Sequence, residues 1–262
     1  MLKKIVITVL VFLSVGCLGY PKIATWYNRM MVEKEVSSYK KDEASFNQAY
    51  IDEQFQLAEK YNEDLRHGKK DDNYSEILNT NNDGLIGYVT VPSISLQLPV
   101  YHGTSDNVLT KGAGHMMSSS FPIGGKGTHA VLSSHCGMPN HVGFTNLEKV
   151  KEGDQFSVTV LNKTLVYEVE QIKIVEPTDT SEVRIDSEND YVTLLTCYPY
   201  GINSHRLLVR GKRVETVSNI DSEMMVSRTF AETINDIPAY EKVIGIAVVF
   251  VLLATFCILH RK

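Results

Sequence analysis

The chain has 262 residues, 43% of them hydrophobic and 22% charged, which is the composition of a folded protein and excludes a disordered or fibrous one. Its net charge of -5 and pI near 5.9 give no electrostatic case for binding phosphate backbones, so a nucleic-acid partner is set aside.

Lys3 and Lys4 precede a weakly polar to apolar run from Ile5 to Tyr20, so residues 1–26 read as an N-terminal membrane anchor or signal. No convincing small-residue cleavage site follows, which favours the anchor. Leu13-Ser14-Val15-Gly16-Cys17 is a poor lipidation site because Ser14 stands where leucine is expected. From Tyr27 to about Arg66 there is neither proline nor glycine, and Glu, Lys, Gln and Ala alternate with spaced apolar residues; this predicts helix, broken once. His67-Gly68-Lys69-Lys70-Asp71-Asp72-Asn73 stops it, and residues 27–84 form a helical segment with a loop leading onward. Asn79 to Gly84 resembles the start of a calcium loop, but its twelfth position is Thr90 instead of glutamate, so a turn is the better reading.

Residues 85–214 carry short β-branched or aromatic runs bounded by turn residues: 87–91, 95–100, 130–132, 156–160, 165–169, 172–175, 191–196 and 206–210. Such spacing predicts a mainly β unit, a barrel or sandwich, with flanking helices. Val214 to Tyr240 is polar without a strong period, so 215–240 reads as a tether. Within 241–262, the apolar run Val243–Leu259 precedes His260, Arg261 and Lys262 and predicts a second membrane helix. Basic residues on the terminal side of both runs place both tails in the cytoplasm and the residues between them outside the cell.

Cys257 falls within the second apolar run, which leaves Cys136 and Cys197 for the exported unit, where a disulfide between them is possible. Thr193, Leu195 and Cys197 share one face of a predicted strand, and Tyr198-Pro199-Tyr200-Gly201 ends it, because proline has no N–H to give to a ladder. Arg206 opens the next strand, and a hairpin would return its guanidinium toward the sulfur. The same spacing suits a buried cysteine and a surface arginine equally well. An ordinary thiol is only a few per cent thiolate at neutral pH, so a nucleophile would need a base. His135 is the favoured histidine, since like Cys197 it stands where a strand gives way to a turn. A metal site of His129, His135 and Cys136 matches no familiar zinc spacing.

The segment Leu194-Leu195-Thr196-Cys197-Tyr198-Pro199-Tyr200-Gly201-Ile202-Asn203-Ser204-His205-Arg206 resembles the cysteine-to-arginine signature of the class C, pilus-assembling sortases of Gram-positive bacteria. Supporting matches are Gly87 to Pro92, Leu98 to Ser105, Gly112 to His115 and Gly127 to Leu132, and the similarity runs from about Tyr27 to Val214. The resemblance implies an eight-stranded sortase-type β-barrel on the outer side of the cell membrane. It implies that Cys197 attacks the threonine carbonyl of an LPXTG-like sorting signal and forms an acyl-thioester. His135 would protonate the departing amine and deprotonate the incoming one, and Arg206 would orient the substrate and stabilise the oxyanion. The partners implied are pilin or surface-protein substrates and the membrane, with a pilin lysine as acceptor; neither a metal nor an organic cofactor is required.

Two departures from the family pattern stand out. The lid that often covers the cysteine carries Asp-Pro-aromatic, whereas this chain has Asp72-Asn73-Tyr74, so Asp72 and Tyr74 are only candidate lid or substrate-binding residues. Cys136 replaces the arginine that commonly follows the histidine. Two alternatives stay open: anchoring of surface proteins to peptidoglycan, and a non-catalytic surface barrel that binds peptides.

Overall fold

The computed structural model describes residues 2–69, 73–137 and 143–214. Helix α1 (Leu2–Glu43) gives way at residues 44–47 to α2 (Gln48–Arg66), whose first turn is closed by Asn47 accepting from the Tyr50 amide at 2.9 Å. Helix α2 buries Ile51, Gln54, Ala58, Tyr61 and Asn62, the spacing of one helical face. It ends at His67 and Gly68, and Gly68 adopts the left-handed conformation.

Eight strands follow: β1 (Leu85–Val91), β2 (Leu96–His102), β3 (Ala113–His115), β4 (Thr128–Ser133), β5 (Gln155–Val160), β6 (Lys163–Val175), β7 (Asp190–Tyr198) and β8 (His205–Arg213). A four-residue helix, α3 (Asp106–Leu109), links β2 to β3. The strands close a barrel in the order β1-β2-β3-β4-β7-β8-β6-β5, in which β2 with β3 and β4 with β7 run parallel. Closure leaves no free sheet edge.

Alternation fills the interior with Val89, Leu98, Val100, Leu132, Phe156, Val158, Tyr167, Val192, Leu194 and Val209, all buried. The outer face is partly clad by the helices. Val36 and Tyr39 of α1 pack on Leu85, Tyr88 and Tyr101, and the Tyr39 hydroxyl donates to Ile86 O at 2.7 Å while accepting from Leu161 N at 2.8 Å. Asn62 of α2 makes a reciprocal amide pair with the Phe121 backbone, at 2.7 and 3.1 Å.

The structure differs from the sequence expectation in two strands. The runs 165–169 and 172–175 are one strand, β6, with a register shift between Val169 and Gln171. The eighth strand is β3, three residues pinned between β2 and β4. The helix expected over 27–66 is broken once, at 44–47, as the sequence suggests, and its first part is continuous with the preceding run back to Leu2. Among the described residues no helix is long and apolar enough to cross a membrane. The tether at 215–240 and the second apolar run lie outside the described residues.

Candidate active site

Three adjacent strands bring the predicted residues into one row. Strand β7 is flanked by β4, parallel to it, and by β8, antiparallel to it. Cys197 is the register partner of Arg206. Directly opposed residues share a face with Cβ atoms about 5 Å apart, so the guanidinium lies on the thiol's side of the sheet. On the other flank the last register pair is Ser133 with Leu195, and the ladder is extended when Ser134 N donates to Leu195 O at 3.1 Å. His135 follows two residues after Ser133, as Cys197 follows two after Leu195, so the direction of the parallel pair carries both toward the same end of the sheet.

The row sits outside the barrel. Val192 and Leu194 point into the core and Thr196 is buried with them, so the intervening Thr193, Leu195 and Cys197 face outward. Cys197 is half-buried. Arg206 is held by its own turn: Nη1 donates to His205 O at 2.9 Å and to Asn203 O at 3.2 Å. A guanidinium carries five N–H donors, so several remain to meet an oxyanion.

His135 is positioned through its neighbours. Thr196 Oγ1 donates to Ser134 O at 2.8 Å, and Ser134 Oγ donates to Gly112 O at 2.9 Å. The backbone after His135 folds back, with Phe144 N donating to His135 O at 2.9 Å. Gly137 sits under the Tyr200 ring: a Cβ there would lie 2.8 Å from the ring, and the residue's positive φ suits glycine. The turn after β4 is thus packed on the turn between β7 and β8. None of these supports was foreseen. Thr196 carried a signal only as the alternating partner of Cys197.

Cys136 lies between His135 and Gly137 as a free, half-buried thiol, and Cys197 is free as well. Burial, then the charges of Glu148 and Cys197, push the Cys136 thiol above its ordinary range. Tyr74 is buried in an aromatic cluster with His102, His115 and Phe121, and its hydroxyl accepts from Gly103 N and bonds His115 Nδ1 at 2.9 Å. Asp72 lies outside the described residues. Among the described residues no group of three or more His, Cys, Asp or Glu is placed to hold a metal ion.

Beyond the row, segments from two sides meet β4. On one side the chain after β3 continues along its edge, where Met116 N donates to Val131 O and Ser120 N to His129 O, each at 2.9 Å. On the other, His129 Nδ1 donates to Arg184 O at 2.8 Å while Nε2 accepts from Thr193 Oγ1 at 2.8 Å, tying the loop between β6 and β7 to the sheet. Burial holds the His129 imidazole below its ordinary pKa, consistent with a neutral ring that donates at one nitrogen and accepts at the other. A thiol opposed to a guanidinium, with an imidazole just past the end of the neighbouring strand, is a set of groups that acyl transfer can use.

The chain is similar to proteins of one family. The family model described as the sortase domain matches residues 89–214. Among curated proteins, sortase D of Bacillus subtilis (strain 168) is 32% identical over 131 residues, which cover 49% of this chain and 63% of that protein. Sortase A of Bacillus anthracis is 33% identical over 132 residues, 50% of this chain and 61% of that protein. The chain thus spans about three-fifths of the length of these curated relatives, 63% and 61%. Solved structures are matched over nearly their whole length. Sortase C1 of Streptococcus agalactiae is 38% identical with a TM-score of 0.67, covering 70% of this chain and 99% of that one. Sortase C of Clostridium perfringens, solved with the C-terminal cell wall sorting motif, is 43% identical with a TM-score of 0.66, again covering 70% and 99%. Sortase C of Streptococcus pneumoniae is 40% identical with a TM-score of 0.66, covering 71% and 100%. With the closed barrel, the Cys197 and Arg206 pairing and these matches together, the chain belongs to the sortase family and is of the sortase C kind.

Proposed function

We propose that this protein is a cysteine transpeptidase that cleaves an LPXTG-like sorting signal and passes the acyl group to an amine, in the first place a lysine of a pilin. The observation that carries the reading is the register pairing of Cys197 with Arg206 across β7 and β8, with His135 just past the end of the adjacent β4. Cys197 Sγ attacks the threonine carbonyl carbon, and the carbonyl oxygen takes up negative charge facing Arg206. As the intermediate collapses, the C–N bond breaks and the departing amine takes a proton from His135. An incoming amine gives its proton back to His135 and attacks the thioester, the new amide forms, and the thiolate leaves. One difficult exchange becomes two easier ones.

The likeness to sortase C structures favours a pilin lysine over a cell-wall amine as acceptor. Offering both acceptors to the purified enzyme separates the two: isopeptide-linked pilin supports the pilus role, and transfer to a peptidoglycan amine alone overturns it. In this reading the runs within 1–26 and 241–262 anchor the enzyme to the cell membrane with the barrel outside. Asp72 is kept as a candidate lid or substrate-binding residue on the family resemblance alone, while Tyr74 is buried among His102, His115 and Phe121. An Asp72→Ala variant that hydrolyses sorting peptide no faster than the parent would remove the lid from the account.

A further inference from the structure

A cleft that the transfer chemistry does not use lies beside the first half of β4, between the end of α2 and the loop joining β6 to β7. It has a volume of about 530 Å³ and is lined by residues that include Leu65, Arg66, Met116, Val183, Arg184 and Ser187. Three separate parts of the chain meet there: the end of α2, the segment after β3, and the loop between β6 and β7. Among the described residues the lining carries two guanidiniums and no acidic residue. The acids of the neighbouring loop are already engaged. Glu188 pairs with Lys126 at 2.7 Å, Asp186 accepts from Glu188 N and Asn189 Nδ2, and Asp179 accepts from Ser181 N and also attracts Arg184.

Both arginines line the cleft and are exposed to solvent. Arg66 Nη1 donates to Lys126 O at 3.3 Å, and its side chain crosses over Gly127, where a Cβ would come within 3.1 Å of it. The Arg184 backbone is fixed by His129. The cleft therefore lies level with residues 127–131 of the β4 strand and its approach.

A transpeptidase must hold the acyl part of its substrate while one amine leaves and another arrives. The side of β4 that holds the cleft suits the part that stays, and the open rim at the β7 to β8 turn suits the exchanging amines. From the Cys197 row back to the level of His129 and Val131 is about 13–20 Å at 3.3 Å per residue. The leucine of a sorting signal lies three residues before the threonine, about 10 Å along the same path. We propose that the cleft is an upstream specificity site, in which Arg66 and Arg184 receive carboxylates carried roughly one to three residues before that leucine. This rests on the transpeptidase reading and narrows its substrate class to sorting signals preceded by acidic residues.

The test uses binding, so that it does not depend on turnover. Fluorescent peptides bearing Leu-Pro-X-Thr-Gly, with two glutamates, two serines or two lysines in the three positions before the leucine, are titrated against the full chain carrying Cys197→Ala. The glutamate peptide is expected to bind about tenfold more tightly than the serine peptide, the value of one charge-assisted contact at a partly exposed site. The lysine peptide should bind more weakly than either. Adding Arg184→Gln, or separately Arg66→Gln in case either variant folds poorly, should bring the glutamate-to-serine ratio toward one. Equal binding of all three peptides, or a preference for glutamate that survives both arginine variants, overturns the proposal. Acylation of Cys197 in the parent protein by the serine peptide is read separately and reports on the transpeptidase reading.

Discussion

Cys197 and Arg206 are directly opposed residues of the β7 to β8 pair, so the ladder sets their Cβ atoms on one face about 5 Å apart. The Arg206 side chain is further steadied by two carbonyls of its own turn. Replacing it with alanine should lower kcat for sorting-peptide cleavage by about 10²–10³-fold, the usual cost of removing one oxyanion donor. Arg206→Lys should recover only part of this, because an ammonium lacks the planar fork. Steady-state kinetics decides it; a change confined to KM would place Arg206 in ground-state binding.

Thr196 acts on the chemistry through Ser134. Its hydroxyl satisfies a buried carbonyl on the residue before His135. Thr196→Val keeps the shape and removes the donor, which should cost about 1–3 kcal/mol of stability for the carbonyl left unpaired. It should also lower kcat more than it raises KM, with Thr196→Ser restoring both. Chemical denaturation together with kinetics separates the two effects.

Stability should fall in mild acid. His115 is fully buried, with Nε2 donating to Ser120 O at 2.8 Å and Nδ1 facing the Tyr74 hydroxyl. Burial first, and then repulsion from His102, pushes its pKa from 6.5 down to about 4. The unfolded chain therefore binds the extra proton first as pH falls. The contribution is fully present above about 6.5 and is lost as pH falls toward about 4, for a total of about 3 kcal/mol. Denaturant midpoints taken from pH 7 to pH 4 should show the decline, and a flat profile would contradict it.

Cys136 should be the slower thiol. Burial and two nearby negative charges disfavour its thiolate. In native, unreduced protein at pH 7.5, iodoacetamide should label Cys136 more slowly than a free cysteine in a short peptide, and both Cys136 and Cys197 should be labelled to completion. Protection of both thiols until a reductant is added would instead show a disulfide between them.

Much of this architecture was legible in local sequence. The runs that became β1, β2, β4, β5, β7 and β8 are β-branched and bounded by turn residues, and each forms a strand. β3 was invisible because Ala113-Gly114-His115 has no β-branched residue and only three positions; it exists through its pairing with β2 and β4. β6 was split because Glu170-Gln171 interrupts the alternation, and the bulge there absorbs the mismatch. At the site, Cys197 and Arg206 could be paired from a hairpin alone. The approach of His135 depends on β4 lying parallel to β7, a contact between segments more than sixty residues apart that no local pattern encodes. The Ser134 latch and the Arg66 and Arg184 cleft are likewise products of the closed barrel.

The central claim is that Cys197 carries the acyl group. Intact-protein mass spectrometry after mixing the enzyme with a Leu-Pro-X-Thr-Gly peptide and no added amine tests it most directly. The account predicts an adduct equal to the peptide up to its threonine, located on Cys197, absent in Cys197→Ala and retained in Cys136→Ser. No adduct while peptide is cleaved, or an adduct on Cys136, would contradict it.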